Sequence, residues 1–175
     1  AIPTFGGFKD GTFDVEQAAS LNPDVVLMNI EAKAATEDAA YDDKLAQLGI
    51  PIIYVDFRED PLEHTIPSMR IIGQIMDDEE AAEEFIEFAE TQLARVTDVI
   101  AEANPERPSV FIDRAGGYSD ECCMSFGPAN FGDYVTLAGG SNIAEGIIPN
   151  SFGNLNPEQI IAANPDHVVV TGGNW

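Results

Sequence analysis

The residues best suited to chemistry in this 175-residue chain are its few cations, because their positions follow a pattern. Of eight Lys and Arg residues, Lys33, Arg58 and Arg114 lie just after apolar runs typical of buried strands, and Lys9 lies in a glycine-containing loop. Ligands of open α/β sheets bind beyond the carboxyl ends of the strands. Cations placed there in an acidic chain favour an anionic ligand. Ordinary surface cations with local ion-pair partners are the alternative.

Aromatic side chains occur in the same predicted loops and could give a ligand flat apolar contact. Packing within the protein is an equal alternative for each of them. They are Phe5, Phe8, Tyr118, Phe152 and Trp175.

Neither histidine is part of a metal-binding pattern, because no close Cys, Asp or Glu set gives His64 or His167 the spacing of a zinc site. The sequence therefore predicts no direct protein–metal site. Cys122 and Cys123 are adjacent, and adjacent cysteines cannot form an ordinary disulfide without strain. We expect free thiols or packing residues, with a strained vicinal disulfide as the alternative.

The elements that must position these residues alternate between helix and strand, which predicts an α/β fold with mainly parallel sheets and flanking helices. Predicted strands are 25–28, 50–55, 109–112 and 168–170. Predicted helices are 14–21, 34–48, 61–76, 77–104, 130–138 and 156–163. A long loop is predicted over 114–128 and an irregular segment over 141–154.

The acidic segment 77–104 predicts one long helix that ends before Pro105. Its apolar residues recur every three or four positions and form one face: Ala82, Phe85, Ala89, Leu93, Val96, Ile100 and Ala103. Such a helix could cover the surface of one domain or connect two lobes.

Two segments on either side of this helix match at a fixed offset. Residues 13–29 read FDVEQAASLNPDVVLMN, and residues 155–171 read LNPEQIIAANPDHVVVT. Glu-Gln and Asn-Pro-Asp occupy the same places in both, so the segments are either an internal repeat or two uses of a common helix–turn–strand unit.

Composition excludes several classes of function. The net charge of −23 argues against binding to nucleic acid or anionic membranes, which requires clustered cations. No apolar run approaches the ~18 residues of a membrane span, and no signal peptide is present. Nucleotide-binding glycine motifs and recognisable catalytic triads are also missing. An α/β enzyme is therefore a minor alternative.

The twin units ending NPDVVLMN and NPDHVVVTGG resemble the substrate-binding proteins of ABC importers for iron-siderophores, haem and cobalamin. LGIPIIYVD, IIGQIMDDEEAAEEF and FGPANFGDYVTLAGGSNIAEG strengthen the resemblance. It implies two α/β lobes, 1–76 and 105–175, connected by the long helix 77–104. The ligand, an anionic chelate such as a ferric siderophore, would lie between the lobes.

The resemblance also implies partners and location. Glu16 and Glu158 correspond to acidic residues that pair with arginines of the permease dimer, although each could instead stabilise its own helix dipole. The protein would be periplasmic or extracytoplasmic, with a lipid anchor in the full-length form. It would have no cofactor, because iron would arrive within the ligand. A sensor or scaffold domain of the same fold is an alternative.

Family members normally have additional elements before the PTFGG stretch and after TGG, so we expect the chain to be a central fragment. Each lobe would then have open sheet edges, which invite pairing between two copies as a homodimer.

Overall fold

The computed structural model describes residues 4, 6–7, 12–114, 123–149 and 151–171. By its internal contacts the chain divides into two units, Ala1–Arg58 and Glu59–Trp175, which are called the first and second units below. Helices alternate with strands in both, and each unit contains parallel strand pairs. The predicted α/β class with mainly parallel sheets is confirmed.

The first unit builds a small sheet from two parallel strands. Its elements are α1 (Val15–Ser20), β1 (Val26–Asn29), a 3₁₀ turn (Ile30–Ala32), α2 (Lys33–Asp38), α3 (Tyr41–Gln47) and β2 (Ile52–Val55). The register pairs Val26 with Ile52 and Asn29 with Val55. The core beside this sheet consists of Phe13, Ala18, Val26, Met28, Leu45 and Ile50.

The prediction of one helix over 34–48 was wrong. Two helices replace it, and helical structure begins earlier than residue 34, with the 3₁₀ turn and then Lys33 as the first residue of α2. Ala40 separates the two helices with a left-handed φ of 53°, which an α-helix cannot include. Beyond this break the Tyr41 ring packs 5.1 Å from that of Phe13. Alanine favours helix, so the composition gave no sign of the break.

The second unit begins with a pair of long helices, α4 (Pro61–Met76) and α5 (Glu79–Ala103). Gly73 allows their close approach, because a Cβ atom at this position would lie 2.6 Å from the Cβ of Ala82. Arg70 also donates from Nε to Glu83 at 2.8 Å. This contact raises the pKa of Arg70 and lowers the pKa of Glu83.

The predicted long helix is confirmed as α5, with Asp78 as its N-cap. Its 25 residues extend about 37 Å at ~1.5 Å per residue. The predicted apolar face is only partly correct, because Ala82 and Ile86 are the buried residues of the helix. Phe85 and Val96 are exposed in the structure, as are Phe88 and Val99.

The remaining elements of the second unit are β3 (Ser109–Arg114), β4 (Met124–Phe126), α6 (Phe131–Leu137), β5 (Ser141–Asn142), β6 (Phe152–Asn154), α7 (Pro157–Ala163) and β7 (His167–Thr171). Strand β3 lies between β5 and β7 and is parallel to both. Strands β4 and β6 form a separate antiparallel pair.

These short strands correct two sequence predictions. The long loop predicted over 114–128 contains β4, and Arg114 is the last residue of β3 rather than the first of a loop. The segment 141–154, predicted as irregular, contains β5 and β6. A strand of two or three residues is too short to give a recognisable alternation of polar and apolar side chains.

Strand β7 is where predicted, but it is not buried. Val168, Val169 and Val170 are 58%, 45% and 37% exposed. Among the described residues β7 pairs with β3 alone, so it is an edge strand. The apolar composition therefore predicted the strand correctly but not its exposure.

The two matching segments adopt the same local structure, one in each unit. Each forms a short helix, α1 or α7, and then a parallel strand, β1 or β7. Asn22 and Asn164 occupy the same place in the repeat, and their φ values are 51° and 44°. Asparagine tolerates this left-handed backbone better than most residues, which explains its presence before both prolines.

No helix among the described residues has the length and apolarity needed to cross a membrane. The division after Arg58 places both α4 and α5 within the second unit and does not coincide with the predicted boundary at residue 76. The predicted lobes 1–76 and 105–175, and the role of 77–104 as their connector, stay predictions.

We predict that Asn164→Ala lowers the free energy of unfolding by about 1 kcal/mol, since alanine in the left-handed region meets a clash between Cβ and the carbonyl oxygen. Asn164→Gly is the matched control and should be nearly neutral. Urea unfolding measures both. Equal destabilisation by the two variants would show that the asparagine side chain, rather than its backbone conformation, matters.

Candidate functional site

Two predicted site cations, Lys33 and Arg58, lie beyond one edge of the first unit's sheet. Strands β1 and β2 are parallel, so both chains leave the sheet at the same edge. Lys33 begins α2 after the 3₁₀ turn that follows β1, and Arg58 lies three residues beyond β2. Arg58 Nε lies 3.6 Å from Glu31 Oε2. The alternative of a local ion-pair partner therefore applies to Arg58.

A hydrogen-bonded group built around Tyr54 lies beside Lys33. The Lys33 Nζ atom is 5.8 Å from the centre of the Tyr54 ring. The Tyr54 hydroxyl donates to the two carboxylate oxygens of Asp42 at 3.1 and 3.0 Å and is also hydrogen-bonded to Thr36. Thr36 is fully buried and donates to the Lys33 carbonyl oxygen at 2.7 Å. These contacts fix the start of α2, where Lys33 emerges.

Burial raises the pKa of Tyr54, and the Asp42 carboxylate raises it further through the hydrogen bond and its charge. The hydrogen bond with Thr36 acts in the opposite direction. The phenol is thus neutral at physiological pH and donates to Asp42.

The second unit presents Arg114 against two aromatic rings. Its guanidinium carbon lies 4.8 Å from the centre of the Phe152 ring and 5.6 Å from that of Phe126. Arg114 Nη1 also lies 3.3 Å from Met124 Sδ. Phe126 and Phe152 are register partners in the β4–β6 pair, so the guanidinium contacts a cross-strand pair of rings.

Buried hydrogen bonds and close packing hold the backbone beside the Phe126 ring. The amide of Asn142 donates to the Phe126 carbonyl oxygen at 2.9 Å, and its oxygen accepts from Ala144 N at 3.0 Å. Gly132 packs closely here, because a Cβ atom would lie 2.2 Å from the Gly127 carbonyl oxygen. Phe126 is buried, whereas Phe152 is 48% exposed and can still contact a ligand.

The structure brings some predicted site residues together within a unit. Lys33 and Arg58 share one sheet edge, and Arg114 contacts Phe152. Four further predicted ligand-binding residues lie outside the described residues: Phe5, Lys9, Tyr118 and Trp175. For the whole set, a ligand-binding role stays a prediction.

Sequence reasoning missed Glu31, Tyr54 and Phe126. Glu31 and Tyr54 had detectable signals, because one lies between a predicted strand and Lys33 and the other lies in a predicted strand. Phe126 had none, since it lies in a strand of three residues.

Glu16 and Glu158 occupy equivalent places in α1 and α7. Each is the second residue of a short helix, after an Asp14 or Asn156 cap, and each is exposed. Asn156 Oδ1 accepts from Glu158 N at 2.9 Å. Beside Glu16 lies an open depression of about 640 Å³ whose lining includes Phe13 and Leu48.

Cys123 corrects the expectation of free thiols. It is disulfide-bonded and almost completely buried. The sequence contains one other cysteine, Cys122, which lies outside the described residues. Within the part of the chain that the structure describes, no group of three or more His, Cys, Asp or Glu side chains could hold a metal ion.

A family model described as periplasmic binding protein matches residues 6–175. Two curated relatives are cobalamin-binding proteins from two strains of Halobacterium salinarum. Each is 28% identical over 169 residues, which is 95% of this chain and 42% of the relative.

The fold is also similar to solved structures. A TroA-like periplasmic binding protein, FepB, from Veillonella parvula is 31% identical with a TM-score of 0.83 over 99% of this chain and 50% of that one. A periplasmic heme-binding protein from Pseudomonas aeruginosa is 22% identical with a TM-score of 0.69 over 93% of this chain and 56% of that one, and it shares the fold. The chain thus spans about half the length of these proteins or less.

We predict that Tyr54 titrates above the ordinary tyrosine pKa and that Asp42→Asn moves its pKa back towards that value. Because folding raises this pKa, the contribution to stability is complete below about pH 10 and is lost as pH rises through the folded-state value. NMR of ¹³C-labelled tyrosine, assigned with Tyr54→Phe, measures the titration. Asp43→Asn is the control, and equal curves for the two variants would contradict the role of Asp42.

Proposed function

This chain belongs to the periplasmic binding protein family, and we propose that the intact protein captures an anionic iron chelate and delivers it to the permease of an ABC importer. The family consists of substrate-binding proteins of transport systems rather than enzymes. The proposed ligand is a ferric siderophore or a similar complex, bound in the cleft between two lobes. Iron arrives as part of this ligand and needs no protein ligands.

The observation that carries the proposal is the position of the cations at strand ends. Lys33 and Arg58 follow the carboxyl ends of β1 and β2, and Arg114 is the last residue of the parallel strand β3, in a chain with net charge −23. Open α/β sheets bind ligands at these ends. Cations concentrated there give an acidic protein a local attraction for anions.

Arg114 and Phe152 together suit a chelate with both charge and flat surface. A guanidinium forms paired hydrogen bonds with carboxylate-like oxygens. Contact with two rings fixes the orientation of the Arg114 guanidinium. Arg114 therefore loses less side-chain entropy when a ligand binds. The exposed part of Phe152 adds apolar contact.

Cobalamin is the second candidate ligand, since the Halobacterium relatives are cobalamin-binding proteins that align with 95% of this chain. Haem is a further possibility within the same fold. Charge separates the candidates, because a corrinoid without net charge gains little from three cations. A sensor or scaffold domain of the same fold would lack a permease and an ATPase among its neighbouring genes.

We predict that ferric citrate or a ferric siderophore changes the intrinsic Trp and Tyr fluorescence of the intact protein. Arg114→Gln should weaken binding by about ten- to a hundredfold, because a charge-assisted contact is lost. Arg95→Gln removes the same charge from α5, where Arg95 donates to Gln92, and is the matched control.

Wild-type protein that binds none of a panel of ferric chelates, haem and corrinoids would reject the ligand proposal. Tight binding of cobalamin alone, unaffected by Arg114→Gln, would replace the iron chelate with the second candidate. Equal losses from Arg114→Gln and Arg95→Gln would assign the effect to net charge instead of the site.

We further propose that Glu16 and Glu158 dock the protein on the permease dimer. Both are exposed at the start of equivalent helices, one in each unit, and each can pair with a permease arginine. The depression beside Glu16 offers room for a partner side chain. The protein would act outside the cytoplasm, with a lipid anchor keeping it near the permease.

We predict that Glu16→Lys combined with Glu158→Lys abolishes most transport while ligand affinity stays unchanged, because charge reversal repels the permease arginines. Uptake of radiolabelled iron chelate by cells measures the effect. Glu145→Lys reverses one exposed charge outside both helices and is the control. Unchanged uptake in the double variant would reject docking and leave ligand binding intact.

A homodimer through exposed sheet edges is also a proposal. Strand β7, with its exposed valines, is the described edge best suited to pairing with a second copy.

A further inference from the structure

The ion pair between Glu31 and Arg58 lies among the residues that we propose bind ligand. Their atoms are 3.6 Å apart, and the two side chains are 33% and 47% exposed. We propose that Glu31 is an internal counter-ion that an anionic ligand must displace from Arg58, so that the pair selects for strongly anionic ligands. This inference rests on the proposed function of the same site.

The backbone at both strand ends fixes the position of this pair. Asn29, at the end of β1, accepts from Glu31 N at 3.3 Å. Asp56, just after β2, accepts from Arg58 N at 2.8 Å. Asn29 is in register with Val55, so the two side-chain-to-backbone bonds start from neighbouring points of the sheet. Each side chain accepts from the backbone N–H two residues later in the chain, so Glu31 and Arg58 lie beside each other.

The pair is loose enough to be exchanged. Charge-assisted hydrogen bonds between a guanidinium and a carboxylate are about 2.7–2.9 Å long, whereas this separation is 3.6 Å. Exposure to water weakens the attraction further, so an ion pair of this kind changes an equilibrium by only about two- to fivefold. A ligand with several negative charges can replace one carboxylate at this cost.

Selectivity follows from whether a ligand can displace the Glu31 carboxylate from Arg58. A neutral ligand cannot compensate Arg58, so the Glu31 pair stays in place and Arg58 contributes nothing to its affinity. An anionic chelate replaces Glu31 and also meets Lys33, two residues further along the chain. Glu31 itself adds repulsion against anions until it moves aside. Removing its charge should therefore favour anionic ligands and leave neutral ones unchanged.

Glu31→Gln in the intact protein tests this inference, with Glu37→Gln as a control that removes an exposed charge from the adjacent helix α2. The probes are ferric citrate, which is anionic, and cyanocobalamin, which has no net charge. We expect Glu31→Gln to raise the affinity for ferric citrate about two- to fivefold relative to Glu37→Gln. Affinity for cyanocobalamin should be the same in all three proteins.

A second measurement needs no ligand. Phenylglyoxal modifies arginine side chains, and mass spectrometry gives the rate at Arg58 alone. Loss of the Glu31 carboxylate should increase this rate in Glu31→Gln and leave it unchanged in Glu37→Gln. A higher rate together with higher ferric citrate affinity supports the inference.

The other outcomes overturn it. An unchanged modification rate means that Glu31 does not hold Arg58. A higher rate with unchanged ferric citrate affinity means that the pair exists but does not compete with ligand, and the proposed function then stands on wild-type binding. Failure of both wild type and Glu31→Gln to bind either probe rejects the inference together with an anion-binding or cobalamin-binding function.

Discussion

Strand β7 depends on one carboxylate for its position. Asp166 Oδ2 accepts from both the backbone N and the side-chain hydroxyl of Ser109, each at 2.8 Å, and Asp166 N donates to the same hydroxyl at 3.0 Å. These bonds lower the pKa of Asp166. They join the turn before β7 to the first residue of β3, so the two strands start in register. Parallel strands have no tight hairpin to align them, and this contact supplies the alignment.

The same constraint determines what lies at the far end of the sheet. Once β3 and β7 start together, Arg114 and Thr171 end opposite each other. In the first unit Val26 N donates to the Pro51 carbonyl oxygen at 2.9 Å, which aligns β1 with β2. The hydrogen bonds at the amino ends of the strands therefore determine which residues lie opposite each other at the carboxyl ends, where the cations are. The left-handed residues Asn22 and Asn164 lie in the turns that lead into β1 and β7, at the amino ends of these strands.

Features that depend on residues close in sequence could be predicted, and features that depend on contacts distant in sequence could not. The resemblance to periplasmic binding proteins is confirmed by the family match over residues 6–175. Asp14 and Asn156 cap α1 and α7 by accepting from backbone N–H groups two or three residues away, and a sequence pattern can report interactions of that range. The pairing of Phe126 with Phe152 joins residues distant in sequence, which no local pattern encodes, and no residue type marked the break at Ala40. A disulfide at Cys123 was kept only as the alternative, because strain argued against it.

The strongly acidic composition and an anionic ligand are compatible because charge acts over a limited distance. At ~0.1 M ionic strength exposed charges beyond about 10 Å are largely screened. An approaching anion therefore responds mainly to the side chains that it meets at the strand ends. In the first unit these side chains include Lys33, Arg58 and the Glu31 carboxylate, which lies 3.6 Å from Arg58. The net charge of −23 therefore does not by itself prevent a local attraction between an anion and the cations at those ends.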